Sequence, residues 1–452
     1  MNDYGLKEPS YFGGSGRTIF GGIPVLIFLA LAGAAGYLWF RSTAPRVELA
    51  GGFPAVLGPA TPLRIQWTNP HGARRVTVAL EQNGVRTVAF EKTEPAVRFV
   101  FRPAPAPPGE LAVTVGRKEV PSLAAGKATL IVEVQSNDLR AQSVALVKEL
   151  PVVLEKPRVT APAAPVFVRR GGTAAVVFTV GGGWQEAGVR VGKYTFPSYP
   201  VKGQAERRLS LFSIPPDVEP GDAPLLFARS ATGDEATVAL PVKVTPAKFR
   251  DRTLELSQGL MDKVLGELDP GSPGPAAERF ARLNSAMRRT NDAALAELSR
   301  KSGPARLWKE AFLLLPRGKA EALFADHRTY RYQGKSLNRE WHLGIDMASV
   351  KNAPVPAAAD GRVVHAGRLG IYGNCVVLDH GLGVLSVYGH MSRVAVKEGD
   401  TVTRGREIGQ SGTSGLAGGD HLHLGVMVGG AFVDPVEWSY AQWMKELLDA
   451  ME

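Results

Sequence analysis

The sequence predicts a mainly β chain: two N-terminal β-sandwich (Ig-like) modules, a helical hairpin, a C-terminal antiparallel β-sheet domain and one N-terminal transmembrane helix. Three observations carry that expectation. Short runs alternate with period two, as where Val76, Val78 and Leu80 alternate with Arg75, Thr77 and Ala79, which is the pattern of half-buried strands. The 51 glycines and 33 prolines make up about a fifth of the chain against an average of ~12%, without a collagen-like period, and suit a turn-rich β protein. Residues 19–40 carry no charge. At 452 residues the chain has room for about three domains of ~150 residues.

Residues 1–18 read as a cytoplasmic tail and 19–40 as a membrane anchor. A helix over this span reaches across the ~30 Å hydrocarbon core, and its Leu, Ile, Val and Phe residues supply roughly 5 kcal/mol toward insertion. A cleaved signal peptide is the competing reading. The long tail with Asp3 and Glu8, and the aromatic finish at Tyr37, Trp39 and Phe40, favour an uncleaved anchor. Lys7 and Arg17 before the span balance Arg41 and Arg46 after it, so orientation has to come from the chemistry downstream.

Residues 47–154 and 155–247 read as the two sandwich modules, joined near Glu155-Lys156-Pro157. Asn83-Gly84 supplies a hairpin turn between strand-like runs, and Val97, Phe99 and Phe101 alternate in the same way. The block ends Ser143–Val147 and Thr237–Pro241 echo each other weakly, and neither module shows catalytic residues. Residues 249–303 read as a helical hairpin that connects to the next domain. Leu256, Leu260 and Val264 make one stripe; after a Pro/Gly-rich break at 270–275, Phe280, Leu283, Met287, Ala294 and Leu298 make another.

Lysine and arginine number 53 against 43 acidic residues, a net charge of +10. The surplus draws the protein to polyanions. No zinc knuckle, helix-turn-helix or aromatic RNA-binding signature is present and the basic residues are spread out, so nucleic acid is not an expected partner. An anionic membrane or wall polymer fits. The single cysteine, Cys375, forms no internal disulfide and reads as a small buried hydrophobe among Val376, Val377 and Leu378.

Six of the eight histidines fall between positions 342 and 423. In His342-Leu343-Gly344-Ile345-Asp346, residues four apart on a strand point to one face, so His342 and Asp346 can share an ion. In Asp420-His421-Leu422-His423-Leu424 the two imidazoles again share a face while the leucines point inward. Tyr388-Gly389-His390 ends a strand-like run from Val384. His365, in an apolar strand, and His380, in a turn, read as structural. The glycine-rich loop from Gly409 to Gly419 lacks the lysine and hydroxyl of a phosphate loop and reads as the wall of a peptide groove.

These three elements and the loop before the histidine pair resemble the lysostaphin-like (LytM-type) zinc metalloendopeptidases over about residues 305–440. The resemblance implies zinc held by His342, Asp346 and His423, with His390 and His421 as catalytic histidines. Three protein ligands leave the fourth tetrahedral position open for water, whose pKa falls from about 15.7 to about 7, roughly 12 kcal/mol toward hydroxide. A positioned histidine contributes roughly 3–5 kcal/mol, so the metal is the larger effect. The implied substrate is the peptide stems of bacterial peptidoglycan. It places a domain over 304–440 outside the bacterial cytoplasmic (inner) membrane, on the periplasmic or extracellular side. Relatives that have lost zinc ligands activate other wall hydrolases, and a non-enzymatic regulator is the competing expectation. The domain is expected as an antiparallel open sheet. Residues 441–452 are expected as a C-terminal helix with Trp443, Leu447 and Leu448 packed inward.

Overall fold

Residues 22–96, 105–219 and 221–451 are described by a computed structural model of the chain. The expected tail 1–18, the first residues of the apolar span (19–21) and the alternation at Val97, Phe99 and Phe101 lie outside the described residues. Helix α1, Gly22–Arg41, follows from the uncharged stretch. Its window Pro24–Arg41 has a mean hydropathy of 1.5 and buries none of its residues. Among the described residues it is the one helix long and apolar enough to cross a membrane.

The chain divides into two compact units, Met1–Leu154 and Glu155–Glu452. In the first, a three-stranded and a four-stranded sheet enclose a core that includes Leu57, Ile65, Leu130 and Val132, all fully buried. Asn83 and Gly84 join the strands Ala73–Gln82 and Val85–Thr93 with φ of +54° and +76°, as a two-residue hairpin turn requires. The alternation at 75–80 is only partly what it promised. Thr77 and Ala79 are buried along with Val76, Val78 and Leu80. This strand lies inside its sheet, between Val85–Thr93 and Gly126–Ser136, with a register shift at Val78/Ala79.

In the second unit, residues 155–247 form two four-stranded sheets and a parallel two-stranded pair. Their core does not close on itself. Phe196, Phe212 and Leu226 belong to one apolar cluster with Trp308, Tyr388 and Trp438. Polar contacts reinforce the join: Trp438 Nε1 donates to Thr173 Oγ1 at 3.2 Å, the Thr173 amide donates to Glu437 at 2.8 Å, and Arg169 pairs with Asp434 at 3.0 Å.

The expected hairpin over 249–303 departs from its pattern in two ways. Asp251–Glu255 is a strand, paired in parallel with His327–Tyr332. Helices α2 (Gln258–Leu268), α3 (Ala276–Arg282) and α4 (Arg288–Arg300) come next, with a π-helical turn at Leu283–Met287 between the last two. That turn shifts the inward face. Phe280 and Leu283 are buried as expected, but Ala294 is exposed and the buried residues beyond are Asn291, Leu295 and Ser299. The two polar ones bond to the next domain: Asn291 Oδ1 accepts from the Ile371 amide at 3.0 Å and Ser299 Oγ donates to the Gly383 carbonyl at 2.8 Å.

The C-terminal sheet is antiparallel, as expected. In spatial order it runs Lys319–Ala322, Ile345–Ala348, Leu422–Val428, Val384–Met391, Asn374–Asp379, Gly361–Arg368 and Thr401–Val402, with Ala431–Val433 paired beside Leu422–Val428. The Leu422–Val428 strand, central and buried at every position, carries the histidine pair at its start. Helices α5 (Pro435–Trp438) and α6 (Ala441–Asp449) close the fold, α6 burying Met444 and Leu447 with Trp443 and Leu448 packed beside them. Cys375 is fully buried.

His380 is structural, as read from the sequence. It is fully buried, with Nδ1 2.7 Å from the Asp360 carbonyl and Nε2 2.7 Å from Ser386 Oγ, and burial pushes its pKa down to about 4. An unfolded histidine titrates near 6.5, so the unfolded chain takes up this proton first. Stability is therefore lost as pH falls from about 6.5 toward 4, by up to roughly 3 kcal/mol from this group. Urea unfolding of the metal-free protein across that range should show the loss, and His380→Gln should flatten the slope.

Candidate metal centre

Three side chains from two stretches of the chain, 342–346 and 423, meet at one point. His342 Nε2 lies 2.9 Å from Asp346 Oδ1 and 3.1 Å from His423 Nδ1, and His423 Nδ1 lies 2.9 Å from the same carboxylate oxygen. All three residues are buried, and among the described residues they form the group of histidine and carboxylate ligand atoms able to hold a metal ion. Contrary to what their spacing predicts, His342 and Asp346 do not share one strand. Strands end at Trp341 and resume at Ile345, so a bend, not a shared strand face, brings the pair together. Gly344 sits in that bend. A Cβ there would come within 2.6 Å of the His423 ring, so the imidazole occupies space that any other residue would fill. Asp346 pairs across the sheet with His423.

The donor set fits a metal. His342 Nδ1 is 2.8 Å from the Leu323 carbonyl, which only accepts, so Nδ1 carries the proton and Nε2 turns a lone pair toward the carboxylate. His423 brings Nδ1 to the same point, the nitrogen that would hold a cation there. Donor atoms about 3 Å apart suit an ion with bonds of ~2.0–2.2 Å. Burial lowers the pKa of His342, and that of His423 to about 4, which favours the neutral rings that a metal requires. Burial alone would raise the Asp346 carboxyl. The imidazoles gathered round it outweigh burial and hold the group well below the usual carboxylate range.

The two expected catalytic histidines stand over the same point. His421 bridges to Gly412 at the mouth of its strand, and its Nε2 is 3.6 Å from Asp346 Oδ1. His390 lies 4.8 Å from the His421 ring and 5.8 Å from the His423 ring, centre to centre. His390 has φ +64°, a left-handed backbone that a non-glycine residue adopts at a cost of order 1–3 kcal/mol. It sits where the pairing of Val384–Met391 with Asn374–Asp379 slips between Tyr388 and Met391, and such a bulge re-aims a side chain. His390 Nδ1 is 2.8 Å from the Ser414 carbonyl and His421 Nδ1 is 2.8 Å from the Gly419 carbonyl. Each ring thus turns Nε2 toward the cleft that both line. Burial, then the neighbouring His421 and His423, hold the His390 pKa well down, whereas for His421 the Asp346 carboxylate outweighs burial and raises it.

All five residues line one cleft of about 430 Å³. Neither His365 nor His380 is among its lining residues. Sequence reasoning missed Arg328, whose Nη2 donates to Asp346 Oδ2 at 2.8 Å. It is largely buried, with 15% of its side chain exposed, and comes from a strand of another sheet, so no local spacing marks it. Tyr372, whose ring centre lies 5.5 Å from that of His423, was missed for the same reason. Its hydroxyl bonds to Asp292 of α4 at 3.2 Å.

Residues 340–435 match Peptidase family M23. Among curated proteins, the chain is similar to the DD-carboxypeptidase/endopeptidase Mpg of Neisseria meningitidis serogroup B, 42% identical over 109 residues, which covers 24% of this chain and 25% of that protein. It is also similar to the peptidoglycan DD-endopeptidase ShyA of Vibrio cholerae serotype O1, 38% identical over 96 residues, 21% of this chain and 22% of that protein. Among solved structures, the catalytic domain of the antimicrobial peptidase lysostaphin from Staphylococcus simulans matches with a TM-score of 0.24 and 28% identity, covering 29% of this chain and 98% of that one. The chain spans about a quarter of the length of the curated relatives it matches.

Arg328→Met should weaken zinc binding about 10–100-fold, the usual cost of losing a partner that orients a metal-ligating carboxylate. Competition with a chromophoric chelator measures it, and an unchanged affinity would show that the guanidinium does not orient Asp346.

Proposed function

Because residues 340–435 are a Peptidase family M23 domain, we propose that the chain is a membrane-anchored zinc metalloendopeptidase that hydrolyses the peptide cross-links of bacterial peptidoglycan. The observation that carries this reading is the convergence of His342, Asp346 and His423 on one point beneath two further histidines in the same cleft. The relatives named as peptidoglycan DD-endopeptidases and DD-carboxypeptidase/endopeptidase support the substrate class. A net charge of +10 suits an anionic wall.

His342 Nε2, Asp346 Oδ1 and His423 Nδ1 would hold the zinc. When bound, zinc supplies Lewis acidity and lowers the pKa of water. The chain's own residues do the rest. Arg328 fixes Asp346 through Oδ2 and leaves Oδ1 for the metal. The Leu323 carbonyl fixes the His342 tautomer. His390 and His421, with Nδ1–H bonded to loop carbonyls, present Nε2 to the cleft, where each can accept a proton or donate one to the scissile amide. The Tyr372 ring packs beside His423 and narrows the cleft on that side.

Helix α1 serves as the anchor, tail in the cytoplasm and the remainder outside the inner membrane, since the substrate lies there. Isolated sacculi treated with the zinc-loaded protein should release uncross-linked muropeptides, read by mass analysis. His423→Ala should lower that release at least ~10³-fold without unfolding the protein. Cross-links left intact by the zinc-loaded wild type would contradict the hydrolase reading.

A further inference from the structure

The glycine-rich loop beside the cleft is gripped from outside the family segment. Lys263 of α2 sends its ammonium to three carbonyls of that loop, those of Thr413, Gly415 (2.9 Å) and Ala417 (3.1 Å). One turn further along α2, Glu267 accepts the Gly415 amide at 2.8 Å and pairs with Arg368 at 2.7 Å. An ammonium has three protons to give, and here one short stretch of backbone takes all three. Both side chains are largely withdrawn from water, 33% and 21% exposed, a costly arrangement that only satisfied bonds offset.

The same stretch orients the catalytic candidates. Ser414, whose carbonyl faces His390 Nδ1, sits between the two clamped residues Thr413 and Gly415. Gly419, whose carbonyl faces His421 Nδ1, comes shortly after the clamped Ala417. The Ser414 hydroxyl fixes the other side, accepting from the Asn374 amide and donating to the Met391 carbonyl, both at 2.9 Å. Gly415 lies at φ +71° against Gly373, with no room for a Cβ on either, so the loop has one path and α2 holds it there.

We propose that Lys263 and Glu267 are positioning residues, which hold the 413–419 loop so that its carbonyls fix the Nδ1–H tautomers and ring orientations of His390 and His421. The inference rests on the hydrolase reading only for its kinetic consequence. It makes α2, which precedes the matched segment, part of the working site: residues 340–435 alone lack the clamp.

The test uses the zinc-loaded full chain in detergent, with Lys263→Met, Glu267→Gln and the conservative Lys263→Arg. Hydrogen exchange at the Gly415 amide should speed up about tenfold or more in the first two variants. Histidine-selective ¹⁵N spectra should show the Nδ1–H form of His390 and His421 giving way to mixed tautomers. On sacculi, kcat should fall roughly 10–100-fold with KM and zinc content unchanged, and Lys263→Arg should recover most of each effect. Wild-type exchange and tautomers in Lys263→Met and Glu267→Gln would overturn the proposal, as would a kcat that falls only in step with zinc content or folded fraction. A wild type that cuts no sacculi would sink the hydrolase reading alone, since the exchange and histidine spectra still decide the clamp.

Discussion

The site depends on one carboxylate. Asp346 Oδ1 has the ring nitrogens of His342 and His423 at 2.9 Å and that of His421 at 3.6 Å, while Oδ2 is taken by Arg328. A carboxylate this deeply buried is tolerated only when paired and hydrogen-bonded, and Arg328 meets that need. The charge of Asp346 is thereby balanced by the guanidinium on Oδ2, while Oδ1 stays turned to the histidines.

The rest of the fold delivers groups to that point. The bend at Gly344 turns His342 back over Asp346 and leaves room for the His423 ring. The slipped pairing before Met391 and the left-handed His390 are a strain that the surrounding sheet supports, and strain of this kind gathers where function needs an unusual direction. Elements outside residues 340–435 contribute as well: Arg328 from the sheet shared with Asp251–Glu255, Lys263 and Glu267 from α2, and Asp292 from α4 through Tyr372. The core of residues 155–247 is continuous with that of the C-terminal domain, which lends these outlying pieces a fixed frame.

Local chemistry was legible in the sequence and long-range chemistry was not. His421 and His423 two apart at a strand start, His390 at a strand end, the Asn83-Gly84 turn and the buried Cys375 are readable from period, turn type and neighbours within a few residues. His342 and Asp346 were found by spacing, although a bend and not a strand face brings them together. Arg328, Gly344 and the carbonyls of Leu323, Ser414 and Gly419 carry no mark in the sequence, because their roles exist only once distant segments meet. Leu298 packs against the core as the stripe foresaw, but Ala294 does not, because a π-helical turn at Leu283–Met287 rotates the faces of α4 and because Asn291 and Ser299 spend their polar groups on the neighbouring domain.

X-ray absorption at the zinc edge, on the full chain loaded with one equivalent of metal, tests the central claim most directly. It should give a first shell of nitrogen and oxygen at ~2.0–2.2 Å with outer scattering from two imidazoles, and Asp346→Ala should remove one oxygen ligand. A shell containing sulfur, a single imidazole, or no bound zinc at all would contradict the account.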